Sequence, residues 1–390
     1  MPARQRWTDV RIVTPERIAE MDLLTEGDRI AALIPRDAPT GEDVRRHDGG
    51  GAWLYPGIID LLQHGMDLHL YSEVEPGAVD AASRVLLRYG TTAFLPSIGC
   101  MPPASFDRTL AGLADECRKA TGARVPGLHS EGPCFALTGA HNPANLDRPD
   151  AALAGRMLAA ADGMLAAVTV APELPGAGPF IRALRAAGVS IHLGHSKAAP
   201  EDIPRYLGWG VGAVTHMFDV MPNLPPDGTG VHPFSLPDAL LAERGLPLGV
   251  VADGIHCHPK LLALLAQLPR DRVFLETDAM KHAGRPATEF EFYPGYRVTS
   301  APGRAVRDAK GGLCGSSLTP DEAMRNYIRM GGADLVQAGW ATGLVPARVL
   351  GRAAEMGSIE PGKLADFALL DPGSLTVRAT VVGGTELWRA

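Results

Sequence analysis

Four side chains in this sequence have the types and spacing to hold a metal ion and activate water on it: Glu131, His195, His216 and Asp278. Each stands at the end of a short apolar run, within His129-Ser-Glu131-Gly-Pro133, Gly194-His195-Ser196, Thr215-His216 and Glu276-Thr-Asp278. Two neutral imidazoles and a carboxylate form a three-ligand metal site with an open position, the pattern of catalytic rather than structural zinc. A fourth carboxylate facing that site is placed to take a proton from a water whose pKa the metal lowers. The gaps are 64 residues from Glu131 to His195, 21 to His216 and 62 to Asp278. In a chain of repeating strand–helix units these are about two, one and two units, so all four side chains converge on one end of a parallel sheet.

Other polar groups end apolar runs in the same way: Gln63-His64-Gly65, Pro172-Glu173 and Asp253-Gly-Ile-His256. Glu173 has two readings, as a group facing the site or as a cap on the following turn. His129, His192, His232, His258 and His282 read as ordinary hydrogen-bonded histidines.

The elements that must position these groups are legible between residues 56 and 344. Strands are expected at Gly57–Leu61, Thr92–Pro96, Arg124–Leu128, Ala167–Ala171, Val189–Leu193, Gly212–Val214, Leu248–Ala252 and Val273–Glu276. Most are continuous apolar runs, as in strands buried on both faces of a parallel sheet. Helical stretches lie between them at Gly77–Tyr89, Asp150–Ala161, Pro179–Ala187 and Lys260–Gln267. Eight strands with interleaved helices predict an α/β fold, a (β/α)8 TIM barrel over 56–344. Both ends instead alternate short strands and turns, and 1–55 with 345–390 is expected to form a small discontinuous β-sandwich domain.

Composition narrows the functional class. The 390 residues carry a net charge of −7, which gives no global field to draw nucleic acid or an anionic membrane. The five cysteines, Cys100, Cys117, Cys134, Cys257 and Cys314, are odd in number, widely spaced and without a CxxC, which fits reduced thiols. No apolar run approaches the ~20 residues of a spanning helix, and the N-terminus lacks the apolar run of a leader. The expectation is a cytoplasmic protein with a small-molecule substrate.

These motifs together resemble the amidohydrolase superfamily, in its N-acetylglucosamine-6-phosphate deacetylase branch, over nearly the whole chain. The shared motifs include Pro56-Gly-Ile-Ile-Asp60, His129-Ser-Glu-Gly-Pro133, Gly139-Ala-His-Asn-Pro143 and Val170-Ala-Pro-Glu173. They continue through Gly194-His-Ser196, Thr215-His-Met-Phe-Asp-Val-Met-Pro222, Ala252-Asp-Gly-Ile-His256, Thr277-Asp-Ala279 and Gly315-Ser-Ser-Leu-Thr319. The resemblance implies that Glu131, His195 and His216 hold one divalent metal, zinc by its donor set. It also implies that Asp278 is general base and then general acid, and that His141 stabilises the developing oxyanion. His256 would contact a substrate hydroxyl, and Asp219, Val220, Asp227 and His64 would line the substrate site.

Three departures from the branch bear on function. The first histidine of the superfamily's His-x-His pair is replaced by Leu62, which favours a single metal and leaves His64 beside it or as a ligand for a weak second ion. The strand-four lysine is absent, with Pro172-Glu173 in its place, which agrees with one metal. Asp219 and Asp227 stand where the branch has the Asn and Arg of its phosphate pocket. Carboxylates repel a dianion, so the reading favours a metal-dependent N-deacylase of an N-acetylated amino sugar or similar N-acyl amine without a 6-phosphate. The alternatives are N-acetylglucosamine-6-phosphate deacetylase proper, a cyclic-amide hydrolase or deaminase of the superfamily, and a non-catalytic barrel relative whose constellation would be broken. The resemblance implies a homodimer, although Asp227 removes the residue that motivates a shared pocket.

Overall fold

The computed structural model describes residues 4–39, 41, 43–222, 231 and 233–390. Its centre is an eight-stranded parallel sheet in sequence order: Ile58–Gln63, Thr91–Ile98, Leu128–Glu131, Leu165–Val170, Ser190–Leu193, Val211–Val214, Leu248–Val251 and Val273–Glu276. The first and last strands meet through the parallel bridge Gln63–Ala279, and the Asp278 N–H donates to the Leu62 carbonyl at 2.9 Å, so the sheet closes into a barrel. Six of these strands are buried at every residue, because other strands fill the inner face and helices cover the outer one. The helix Ala151–Ala161 begins where the Asp150 carboxylate accepts the Leu153 N–H at 2.7 Å, satisfying one of the free donors of the first turn.

The third strand begins at Leu128, four residues after the start of the expected Arg124–Leu128. Pro126 has no N–H to offer a ladder, so Arg124 makes only a bridge to Ala93 and continuous pairing starts at Leu128. Glu131 is therefore the last residue of its strand.

Strands from both ends of the chain form one mixed sheet. Val44–Pro56 pairs in parallel with Arg4–Val13 and antiparallel with Phe367–Leu370, around a core that includes Trp7, Ile12, Leu54, Phe367 and Val381. This sheet is tied to the barrel by Arg124, whose Nε and Nη2 donate to the two oxygens of Asp366 at 2.7 and 3.1 Å. Asp366 Oδ1 also accepts the Gly383 N–H at 2.7 Å. Asp366→Ala should cost about 2–3 kcal/mol, since it leaves a half-buried guanidinium and a backbone donor without their partner. Urea unfolding of the two proteins measures that loss, and a cost below about 0.5 kcal/mol would show that the clamp is dispensable.

A further antiparallel sheet, Thr288–Tyr293, Tyr296–Ser300, Ala305–Asp308 and Leu313–Ser316, follows the eighth barrel strand. The sequence reading assigned this stretch to the barrel without separate strands. Its signal was nevertheless present, as the alternation in Thr288-Glu-Phe-Glu-Phe-Tyr293 followed by the turn pair Pro294-Gly295. Among the described residues no helix is long and apolar enough to cross a membrane, and all five cysteines are buried and free.

Two histidines are packed inside the barrel away from solvent. The His129 ring is hydrogen-bonded by Nδ1 to the Leu61 carbonyl and by Nε2 to Thr169 Oγ1, both at 2.8 Å, and it meets His192 edge-on at 5.2 Å. Burial pushes His129 down to about 4 and His192 well below its ordinary value. Both are thus neutral in the fold and take up protons below pH ~6.5 once unfolded, so stability is present above that pH and falls as the pH drops through the window toward 4. Thermal unfolding from pH 7.5 to 4.5 should show a falling melting temperature with a shallower slope in His192→Gln. Identical slopes would exclude His192 as a source of acid sensitivity.

Candidate active site

At the C-terminal mouth of the barrel, Glu131 is surrounded by four imidazoles. Its Oε1 lies 3.2 Å from His195 Nε2 and 3.1 Å from His216 Nε2, and the two ring nitrogens are 3.1 Å apart. Its Oε2 lies 3.0 Å from both His141 Nε2 and His64 Nε2. Asp278 Oδ1 stands 3.4 Å from His64 Nε2 on the same rim. Every one of these side chains is buried.

The backbone is strained where these groups project. His195, His216 and Asp278 follow their strands with φ of 50°, 30° and 50°, and Val220 in the loop after the sixth strand has φ 49°. Non-glycine residues, above all β-branched ones, rarely adopt left-handed φ, and such strain concentrates at functional sites. Tertiary contacts hold it in place. The His216 N–H donates to Glu276 Oε1, and Asp278 is clamped between the Leu62 carbonyl and the Ser316 N–H, which donates to the Asp278 carbonyl at 2.8 Å.

Partners on the far side of each ring set what its near nitrogen offers. His195 Nδ1 donates to the Leu137 carbonyl at 2.9 Å, so its Nε2 presents a lone pair to the cage, and Phe135 stacks flat on the ring at 4.0 Å. His141 Nδ1 instead faces the Cys100 N–H at 3.4 Å, which places its proton on Nε2. Burial opposes charge on both His64 and His216, yet Asp278 and Glu131 outweigh it at His64, Glu131 and Asp219 outweigh it at His216, and both rings are pushed up to about 10. Burial alone would raise Glu131, but the surrounding imidazoles hold it well below the ordinary range. The pocket therefore demands positive charge at its centre.

These donors fit a divalent cation. Glu131, His141 and His195 each offer a ligand atom within 4.8 Å of the others. His216 Nε2, at 3.1 Å from both Glu131 and His195, belongs to the same cluster. Ring nitrogens converging on one carboxylate at hydrogen-bond distance need either shared protons or a cation between them.

Six of the residues singled out in the sequence thus come together: Glu131, His195, His216, Asp278, His141 and His64. Asp219 and Val220 line the same cavity of about 460 Å3. His256 does not line that cavity. Its Nδ1 is held by Asp253 Oδ2 at 2.7 Å, and its Nε2 is buried without a hydrogen-bond partner among the described residues. Asp227 lies outside the described residues. Glu173 accepts the Ser196 hydroxyl at 2.8 Å and the Lys197 N–H, and so braces the turn after His195 rather than the turn that follows Glu173 itself. Sequence reasoning missed the wall that the inserted sheet supplies, including Phe292, Tyr296 and Asp308.

The cavity wall is acidic. Glu131, Asp219, Asp278 and Asp308 line it, and its described lining includes neither Lys nor Arg. Lys281 and Arg285, which follow the lining residue Met280 in the chain, are paired with Glu73 and Asp67.

Comparison with known proteins agrees with this arrangement. Residues 53–387 match the Amidohydrolase family. The chain is 32% identical over 366 residues to an N-acetylgalactosamine-6-phosphate deacetylase of Escherichia coli, covering 93% of this chain and 94% of the relative. It is 30% identical to the N-acetylglucosamine-6-phosphate deacetylase of Bos taurus, covering 98% and 95%. Among solved structures, the N-acetyl-D-glucosamine-6-phosphate deacetylase of Mycobacterium smegmatis superposes with a TM-score of 0.87 at 26% identity, covering 99% of this chain and all of that one. These relatives are named for 6-phosphorylated sugars, which does not support the expectation of a substrate lacking that group. The chain belongs to the amidohydrolase family, in its N-acetylglucosamine-6-phosphate deacetylase-like branch, and is a metal-dependent hydrolase of amide bonds.

Proposed function

We propose that this enzyme removes the acetyl group from an N-acetylhexosamine 6-phosphate, with one divalent ion, zinc by the nitrogen and oxygen donor set, held by Glu131, His195 and His216. The observation that carries the reading is the buried cage at the barrel mouth, in which three imidazoles and two carboxylates meet a fourth imidazole whose proton points inward. The ion, when bound, supplies electrophilic polarisation of the amide and lowers the pKa of water.

The remaining roles belong to this chain's own groups. Asp278 accepts a proton from the attacking water and returns it to the leaving amine, which requires one carboxylate able to reach both. His64 positions that carboxylate through its Nε2. His141 Nε2–H, fixed as a donor by the Cys100 N–H, stabilises the negative charge that develops on the carbonyl oxygen. Asp219 and Val220, which line the cavity, are assigned to the sugar. A 6-phosphate would draw on backbone N–H donors or on groups outside the described lining, because that lining holds no cationic side chain besides histidine.

The test is turnover of matched N-acetyl-D-glucosamine and N-acetyl-D-galactosamine, each with and without a 6-phosphate. A preference of at least about 100-fold in kcat/KM for the phosphorylated sugars, roughly 2.7 kcal/mol, is expected. Equal or reversed preference removes the phosphate from the assignment and leaves the deacetylase. Cleavage of a cyclic imide with none of an N-acetyl sugar would overturn the deacetylase as well.

A further inference from the structure

A second chamber of about 560 Å3 opens beside the first and, among the described residues, shares with it His64, His141 and Phe292. Its wall differs in character. Gly99, Met101, Pro102, Phe292, Tyr293 and Pro294 contribute apolar surface. Several of the polar side chains around it are partly engaged with their own surroundings. Asn145 Nδ2 donates to the Cys100 carbonyl at 2.9 Å, Ser105 Oγ donates to the Pro102 carbonyl at 3.2 Å, and Asn142 accepts the Ala144 N–H at 3.0 Å. Glu291 accepts the Gly295 N–H at 2.7 Å, and Glu73 accepts Lys281 Nζ at 2.9 Å. What the chamber offers a ligand is mainly contact with carbon.

The planar amide has three directions to fill. With its oxygen on His141 and its nitrogen toward Asp278 and the acidic first chamber, the acyl substituent is left pointing past His64 and His141 into the second. An acetyl methyl occupies a small part of such a space. We propose that this second chamber is the acyl-binding subsite, and that the enzyme accepts N-acyl groups larger than acetyl, with unbranched chains of four to six carbons filling it. The inference rests on the deacylase reading above and adds the identity of the acyl group. The polar half of the substrate is recognised on the acidic side of the cage and the apolar half on the other.

The experiment is a series of N-acyl-D-glucosamine 6-phosphates, and the same sugars without phosphate, carrying acetyl, propanoyl, butanoyl and hexanoyl groups. Burial of each added methylene is worth about fourfold, so hexanoyl should exceed acetyl by at least about tenfold in kcat/KM. Met101→Trp, which fills the chamber, should lower the hexanoyl-to-acetyl ratio by at least about tenfold. Ser105→Phe narrows the chamber from its rim and gives the same readout should the first variant melt early. A flat or falling series with acetyl turnover intact overturns the chamber assignment while leaving the deacetylase. Turnover of no member of the series, acetyl included, overturns both. A ratio that neither substitution changes also overturns the assignment.

Discussion

Asp278→Asn should abolish turnover, with kcat lower by about 10³-fold or more, while the metal content per chain stays as in the parent enzyme. Loss of a positioned general acid–base group costs about 10²–10⁴-fold, and Asp278 is assigned both proton transfers of the reaction. The substitution is nearly isosteric, and the backbone that sets the side chain's direction is held on either side. The Asp278 N–H donates to Leu62, its carbonyl accepts from Ser316, and the preceding Thr277 Oγ1 donates to Asp60 Oδ2 at 2.6 Å. The amide should therefore sit where the carboxylate did without its capacity to accept a proton. Steady-state kinetics with metal analysis decide the matter, and near-normal activity would remove Asp278 from the mechanism.

Glu131→Gln should lose the metal itself. Glu131 supplies the negative charge that all four imidazoles face, and a neutral amide there leaves the rings without the countercharge that draws a cation in. Protein purified without chelator should carry about one zinc-like ion per chain, and the variant less than about a fifth of that. A ligand that binds only the folded state raises its stability by mass action, so added zinc should raise the melting temperature of the chelator-treated parent and leave that of Glu131→Gln unchanged. Two ions per chain in the parent would overturn the single-metal assignment and make His64 a ligand. An unaltered metal content in the variant would move the site away from Glu131.

Much of this centre was legible in the sequence because a parallel barrel gathers its chemistry at one place in each unit. The end of every apolar run is a point on one rim, so Glu131, His195, His216 and Asp278 could be placed together from spacing alone. Strand positions followed from apolar continuity, and the one clear slip, at the third strand, falls at Pro126, which cannot donate to a ladder. The inserted sheet from Thr288 to Ser316 went unread although its alternation and its Pro-Gly turn were visible, because the barrel pattern had already claimed that stretch.

What the sequence determined by itself was the set of donor types, their order, and the strand ends that carry them. Those follow from periodicity and turn chemistry, which act over a few residues. Only the tertiary structure decided how the donors are used. The left-handed backbone of His195, His216 and Asp278, the entry of His64 and His141 into the cage, and the proton on His141 Nε2 all depend on neighbours distant in the chain. So does the charge of the substrate cavity. Lys281 pairs with Glu73 and Arg285 with Asp67, each more than 200 residues away, and these pairings leave the described wall acidic. A cation close in sequence to a pocket does not serve it when a nearer carboxylate in space takes its charge.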